Sequence, residues 1–289
     1  SCGNNKIFTG TTTLTEVTLP VGYTISDNNW KVMSFNNDVY FYQKGHQPLL
    51  SVAGTSTLAG LTSTGGGSAP QGNEVLAAFG RIWTCDLADN KYVVYWSSLL
   101  AGDNWQGGSA GSVDLTTVWP TGFDEVVSLA EHDGFLIIFG KKSIIIYTGA
   151  ESPASDLKLH DTIEGVGCVA RDSVFSTGSD LFFLSSRGVM SLGRVVQEKS
   201  LPLNDISKNV RSDLLQTLSQ ENHANGHREA IKSIYSPIDA FYLITFPDSS
   251  LVYCFDLRQA LENGAYRATT WTAIKPISFS IFADDHLYM

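Results

Sequence analysis

Residues 133–149 read DGFLIIFGKKSIIIYTG. A turn pair, Asp133–Gly134, leads a run of aromatic and aliphatic residues. A short polar break follows at Gly140–Lys141–Lys142–Ser143, and then a second apolar run. Ile, Phe and Tyr dominate both runs and Gly interrupts them, which disfavours a helix and describes two strands of a hairpin. Gly140 is able to take a positive φ at the turn.

The same plan recurs on both sides of this stretch. Asn37–Asp38 leads VYFYQKGHQPLLSV, Gly80 leads RIWTCDLADNKYVVYWS, Gly178–Ser179–Asp180 leads LFFLSSRGVMSLG, and Ile238–Asp239 leads AFYLITFPDSSLVYCFDL. A sixth copy starts at Asp284–Asp285 with HLYM. Starts near residues 38, 80, 134, 178, 239 and 284 are separated by 42 to 61 residues. A repeat of about 40 to 50 residues with a central hairpin is the signature of a propeller blade. The expected fold is therefore all-β, a β-propeller of about six short-hairpin blades with one inserted helix, its body spanning residues 1–289.

Two of the longer steps carry insertions. One is the Gly- and Ser-rich stretch 99–119. The other holds the inserted helix, expected over 204–218, with Asn204 or Asp205 as N-cap and Ile206, Val210, Leu214, Leu215 and Leu218 at helical spacing. Residues 51–72, rich in Ser, Thr and Gly, are expected to form a flexible exposed loop. The chain opens on Ser1 and ends within a strand-like run, so a piece of a longer chain is expected.

Composition supports the same class. Of 289 residues, 43% are hydrophobic and only 17% charged, with 26 Gly, 15 Phe and 11 Tyr. Turn formers mixed with aromatic and β-branched residues suit many short strands. The net charge is −10 and no Lys/Arg run occurs, so no basic patch for gripping phosphates is legible. No segment reaches the ~20 apolar residues of a membrane span.

No catalytic, cofactor-binding or metal site is expected. The nucleophile elbow GxSxG, the zinc motif HExxH and the phosphate loop GxxxxGK[ST] are absent. Cys2, Cys85, Cys168 and Cys254 form no CxxC pair, and Cys85 and Cys254 sit in apolar runs as buried thiols. His223 and His227 are four apart, but Asn225–Gly226 between them opposes the helix a metal pair would need. Glu131–His132–Asp133 resembles a catalytic grouping, yet Asp133–Gly134 is better explained as a turn. The Gly65–Gly66–Gly67 run has no lysine after it. Trp96, Trp105, Trp119 and Trp271 are expected to pack rather than stack ligands.

Residues 78–218 resemble the tail nozzle, or tail tubular protein B, family of short-tailed bacteriophages. The likeness rests on Gly80–Arg81–Ile82, Val94–Tyr95–Trp96–Ser97, Asp103–Asn104–Trp105, Ile137 to Ser143, Tyr147–Thr148–Gly149, Gly165 to Cys168, Phe182 to Val189 and Asp205–Ile206–Ser207. The family is typically longer, with domains this chain lacks room for, so a related tail hub protein stays open. The resemblance implies a virion component rather than an enzyme: a homo-hexameric ring in the phage tail, bound to an adaptor ring and tail fibres. DNA would pass through its channel without sequence-specific binding, and an acidic lumen would repel the phosphates. Two other readings stand beside it: a propeller-based carbohydrate- or protein-binding module, and a propeller glycoside hydrolase, which would need two convergent carboxylates.

Overall fold

A computed structural model of the chain describes residues 2–3, 6–10, 13–25, 29–51, 57–120, 122–198, 205–221, 230–272, 274, 276, 278–281 and 286–289. The chain is all-β and folds as a β-propeller with five blades. Four blades are four-stranded and every strand pairs with its neighbour in sequence. They consist of β4 (Lys31–Phe35), β5 (Asp38–Tyr42), β6 (Leu49–Ser51) and β7 (Ala59–Gly60); β8 (Gly72–Ala78), β9 (Arg81–Leu87), β10 (Val93–Trp96) and β11 (Gly111–Asp114); β12 (Val126–His132), β13 (Phe135–Gly140), β14 (Ser143–Thr148) and β15 (Lys158–Glu164); and β19 (Lys232–Ser236), β20 (Phe241–Phe246), β21 (Leu251–Asp256) and β22 (Arg267–Trp271). The remaining blade has three strands, β16 (Phe175–Ser176), β17 (Leu181–Ser185) and β18 (Gly188–Ser191). Two small sheets complete the described strands: β1 (Cys2–Gly3), β2 (Lys6–Thr9) and β3 (Thr15–Glu16), and β23 (Ser280–Ile281) with β24 (Leu287–Tyr288).

The blade count is thus five rather than about six. The hairpin expected after Asp284–Asp285 lies partly outside the described residues, and among those described Leu287–Tyr288 pairs with Ser280–Ile281.

Contacts divide the chain into two compact units, Ser1–Leu136 with Tyr147–Leu159, and Ile137–Ile146 with His160–Met289. In each, successive side chains of a strand serve opposite cores, because a strand alternates faces with period two. In the first unit Phe41 packs with Ile7, Trp30 and Leu49. Its neighbours Tyr40 and Tyr42 pack with Val75, Ile82 and Trp105. In the second, Tyr242, Ile244 and Phe246 join one cluster while Leu243 joins another with Val252 and Cys254. Both faces of the middle strands are buried, which is why those strands read as unbroken apolar runs.

A left-handed turn between first and second strands recurs in the blades. Asn36 and Asn37 (φ 49° and 68°) join β4 to β5, Phe79 and Gly80 (55° and 66°) join β8 to β9, and Asp133 and Gly134 (50° and 77°) join β12 to β13. Paired positive φ values twist in the sense the strands require. Gly140 does not share this role. It stays in β13 without a positive φ, and its carbonyl accepts the Cys168 amide at 2.8 Å.

Three helical segments are described: α1 (Pro153–Asp156), α2 (Leu192–Glu198) and α3 (Arg211–Gln220). The inserted helix therefore starts at Arg211 instead of 204, and Asn204 lies outside the described residues. Asp205 is no N-cap. Its fully buried carboxylate accepts the Ser207 hydroxyl at 3.1 Å and pairs with Arg211, holding residues 206–210 in turns. Leu214 and Leu218 are buried on one face of the helix, as their spacing implies, and Ile206 joins the same cluster from the turns before it.

The stretch 51–72 is also more than a loop. Residues 52–56 lie outside the described set, but Ala59–Gly60 is β7, and Leu58, Leu61 and Ala69 are buried in the two cores of the first unit. Among the described residues no helix is long and apolar enough to cross a membrane.

Candidate functional site

Two arrangements in the first unit go beyond core packing. The first joins the opening strands of three successive blades. Glu74 of β8 is only 1% exposed, and Lys31 of β4 donates to both of its carboxylate oxygens, at 2.7 and 2.6 Å. From β12 the Ser128 hydroxyl donates to the same carboxylate at 3.4 Å, and the Leu129 amide donates to it at 3.5 Å. Beside it, Asp86 takes Lys44 at 2.6 Å and the Asn73 amide at 2.9 Å, from a left-handed backbone (φ 55°) inside β9. Two lysines and two carboxylates cancel, so the cluster is a neutral clasp. Cys85 lies within this field. Burial pushes its thiol well up, Glu74 and Asp86 add to the rise, and Lys31 and Lys44 oppose it. Such a thiol is a core group, not a nucleophile.

The second arrangement is the loop 97–110, built around Arg81. This residue is 3% exposed, and burial lowers its affinity for its proton. Its Nη1 donates to the Ser97 carbonyl (2.9 Å), the Ser109 carbonyl (3.2 Å) and the Ser109 hydroxyl (2.9 Å). The Ser98 hydroxyl donates to the Gly107 carbonyl at 2.6 Å, and the Gly107 amide donates to Asn104 Oδ1 at 2.9 Å. Outside the loop, the Trp105 amide donates to the Ser63 hydroxyl and the Thr64 amide to the Asp103 carbonyl. A Cβ at Gly102 would stand 2.6 Å from both Ile82 Cδ1 and Tyr40 Oη, so any larger residue there forces these two buried side chains to shift. The tip of this rigid loop is Leu99 and Leu100, 53% and 64% exposed.

The residues singled out in the sequence fall mostly into structural roles. The Gly134 amide donates to Glu131 Oε1 at 3.1 Å, so Glu131–His132–Asp133 caps a hairpin turn. Gly66 and Gly67 take positive φ in a turn, and Gly65 packs against Asn104 and Gly107. Trp96, Trp105 and Trp119 are buried, and Trp271 packs against the Ile234–Cys254 cluster. Cys85, Cys168 and Cys254 are free and buried, with burial pushing the Cys254 thiol up to about 11. His223 and His227 lie outside the described residues. Among the described residues no group of three His, Cys, Asp or Glu is placed to hold a metal.

A cleft of about 330 Å³ opens beside the β21–β22 connection, lined by Asp256, Arg258, Gln259, Glu262 and Arg267 among others. No sequence motif marks it. Its two carboxylates invite comparison with a glycosidase pair, but Arg258 grips Asp256 through two hydrogen bonds of 2.8 and 2.6 Å. Those bonds lead in holding the Asp256 carboxyl at about 2. A carboxyl so acidic holds no proton to donate near neutral pH. Replacing Arg258 with Ala is expected to raise the Asp256 carboxyl toward its usual range, read by carboxyl NMR titration, with the residue-258 amide and Arg267 still holding it partly down.

The fold and these sites define a β-propeller whose polar groups are spent largely on holding its own loops. No known family profile matches the chain, and no curated protein matches it. Among solved structures, the CNH domain of AfRom2 is similar at 14% identity and a TM-score of 0.45, over 87% of this chain and 75% of that one. KlHsv2 with its loop 6CD replaced by a Gly-Ser linker is similar at 12% identity and a TM-score of 0.49, over 88% and 73%. YCF48 bound to a D1 peptide is similar at 11% identity and a TM-score of 0.48, over 88% and 74%. Likenesses this distant say nothing of ligand, activity or partner.

Proposed function

We propose that this propeller is a structural component of a short-tailed phage tail, a nozzle-type ring subunit without enzymatic activity. The observation that supports it best is the coincidence of the resembling residues with the loop 97–110. Gly80, Arg81, Trp96, Ser97 and Asp103 to Trp105 make one preorganised element, held by hydrogen bonds and offering apolar side chains to solvent. Rigid presentation of apolar residues suits assembly, since little conformational freedom is lost on association. In this reading six copies form a ring in the virion tail, meet an adaptor ring and tail fibres, and let DNA pass. Each subunit carries a net charge of −10, and a lumen sharing that sign repels phosphates.

The test is the mass and symmetry of the assembly, by mass photometry and electron microscopy of the purified chain and of tail particles. A six-copy ring with an acidic lumen is expected. A ring of other symmetry, or a basic lumen, overturns the reading. The cleft at Asp256 and Arg258 favours a second reading, a binding propeller for small polar ligands. Calorimetry with a panel of mono- and oligosaccharides tests it, and binding that is lost in Arg267→Ala would favour it over the ring.

A further inference from the structure

The loop between β21 and β22 holds the dipeptide Asn263–Gly264, one of two Asn–Gly pairs in the sequence. Asn263 is exposed, and Gly264 takes a φ of 79° with no Cβ to screen its nitrogen. A backbone amide that follows asparagine can attack the side-chain carboxamide, and asparagine is accordingly among the heat-labile residues. The carboxamide here is also activated. Its Oδ1 accepts the Ala265 amide at 3.1 Å, so charge building on that oxygen during attack meets a fixed donor, as in an oxyanion hole.

Opposing contacts hold the pair at rest. The Gly264 amide donates to the Leu261 carbonyl at 2.8 Å, which turns the nucleophile away. The leaving nitrogen, Asn263 Nδ2, donates to Asn209 Oδ1 at 2.7 Å, in the exposed turn before α3. The chain on either side is tied more deeply: Arg194 Nη1 donates to the Gly264 carbonyl at 2.6 Å, and the Tyr266 amide donates to the Ile206 carbonyl at 3.1 Å. The Asn209 contact joins two exposed side chains, so it opens before the main-chain ties do.

We infer that Asn263–Gly264 is a deamidation site that Asn209 holds closed. Solvent base takes the Gly264 amide proton as the nitrogen bonds to Asn263 Cγ. The Cγ–Nδ2 bond then breaks, and the nitrogen leaves as ammonia with a proton from water. Water opens the resulting succinimide, at Cγ to give aspartate or at the backbone carbonyl to give isoaspartate. In sum one water enters and one ammonia leaves, with no oxidation or reduction. Either product sets a carboxylate beside Glu262 in the wall of the Asp256–Arg258 cleft. The isoaspartyl form also adds a methylene to the main chain and breaks the Leu261–Gly264 turn.

Asn209→Ala removes the acceptor from an exposed position. The melting temperature is expected to hold while conversion at residue 263 of the folded chain quickens about fivefold, the rate equivalent of one lost hydrogen bond. Asn209→Asp keeps an oxygen acceptor and is expected to convert at the wild-type rate. The full chain and both variants are incubated folded and, as the open reference, in guanidinium. Tandem mass spectrometry of digests reads residue 263 separately from the other pair, Asn225–Gly226. Equal folded-state rates at 263 for wild type and Asn209→Ala overturn the inference, as does a residue 263 left intact once the denatured chain has converted. An Asn209→Asp chain as fast as Asn209→Ala overturns the role of the acceptor. Acceleration shared equally by Asn225–Gly226 overturns the inference too, since it marks general loosening of the fold.

Discussion

Trp83→Ala is expected to destabilise the chain by about 3–5 kcal/mol, the range for emptying a buried aromatic site. Trp83 is wholly buried, its ring 5.4 Å from that of Trp96 and 6.4 Å from that of Phe79, and its Nε1 donates to the Ala78 carbonyl at 3.1 Å. Trp96 cannot collapse into the space freely, because its own Nε1 is tied to the Ser109 carbonyl at 3.0 Å. Against a total stability of about 5–15 kcal/mol, such a loss leaves the fold marginal, with a melting temperature lower by roughly 10 °C. Trp83→Phe keeps most of the packing and forfeits the hydrogen bond, for about 1 kcal/mol. Urea denaturation of both variants checks the contrast. An alanine variant within 1 kcal/mol of wild type would mean that the second blade does not close on this ring.

The second large effect is asymmetric. Lys31→Met is expected to cost about 3 kcal/mol, since it removes the ammonium that donates to both oxygens of a carboxylate only 1% exposed. Glu74→Gln is expected to cost only about 1 kcal/mol, because the ammonium it releases is 27% exposed and turns to water. Removing both charges, as Lys31→Met with Glu74→Leu, is expected to recover most of the loss, for a buried pair gives little net stability over an apolar one. Chemical denaturation of the four proteins forms a double-mutant cycle. Equal losses for the two single variants would contradict the burial of Glu74.

The second and third strands of the blades were legible because both of their faces are buried. Leu243 and Ile244 serve opposite clusters, as do Tyr40 and Phe41, and a strand sandwiched in this way has no polar face to blur its pattern. Outer strands such as Gly111–Asp114 and Arg267–Trp271 are half exposed, so their residues resemble loops. Ala59–Gly60 was hidden for the same reason, and the blade count suffered because the last repeat has only two residues in its described strand. The helix at Arg211 was misplaced because a fully buried Asp205 carries the same letters as an N-cap. Only its partner, Arg211, distinguishes the two roles, and that pairing is tertiary. At the candidate site the motif residues Gly80, Arg81 and Trp105 were visible as a pattern, but the left-handed backbone of Leu100 left no trace in composition. Neither did the Lys31–Glu74 clasp, whose members are 43 residues apart.

Among the described residues every sheet pairs strands that are neighbours in sequence, and that has a consequence for synthesis. A meander closes only short stretches of chain at each step, so the entropy lost per pairing is small and the contact order within a blade stays low. The left-handed turns at Asn36–Asn37, Phe79–Gly80 and Asp133–Gly134 place the nucleus of each hairpin at its first bend. Blades emerging from a ribosome can then form one after another, each needing only residues already made. A repeat architecture assembled in this vectorial order exposes few unpaired edges at any moment, which limits aggregation in a chain made of so many apolar strands.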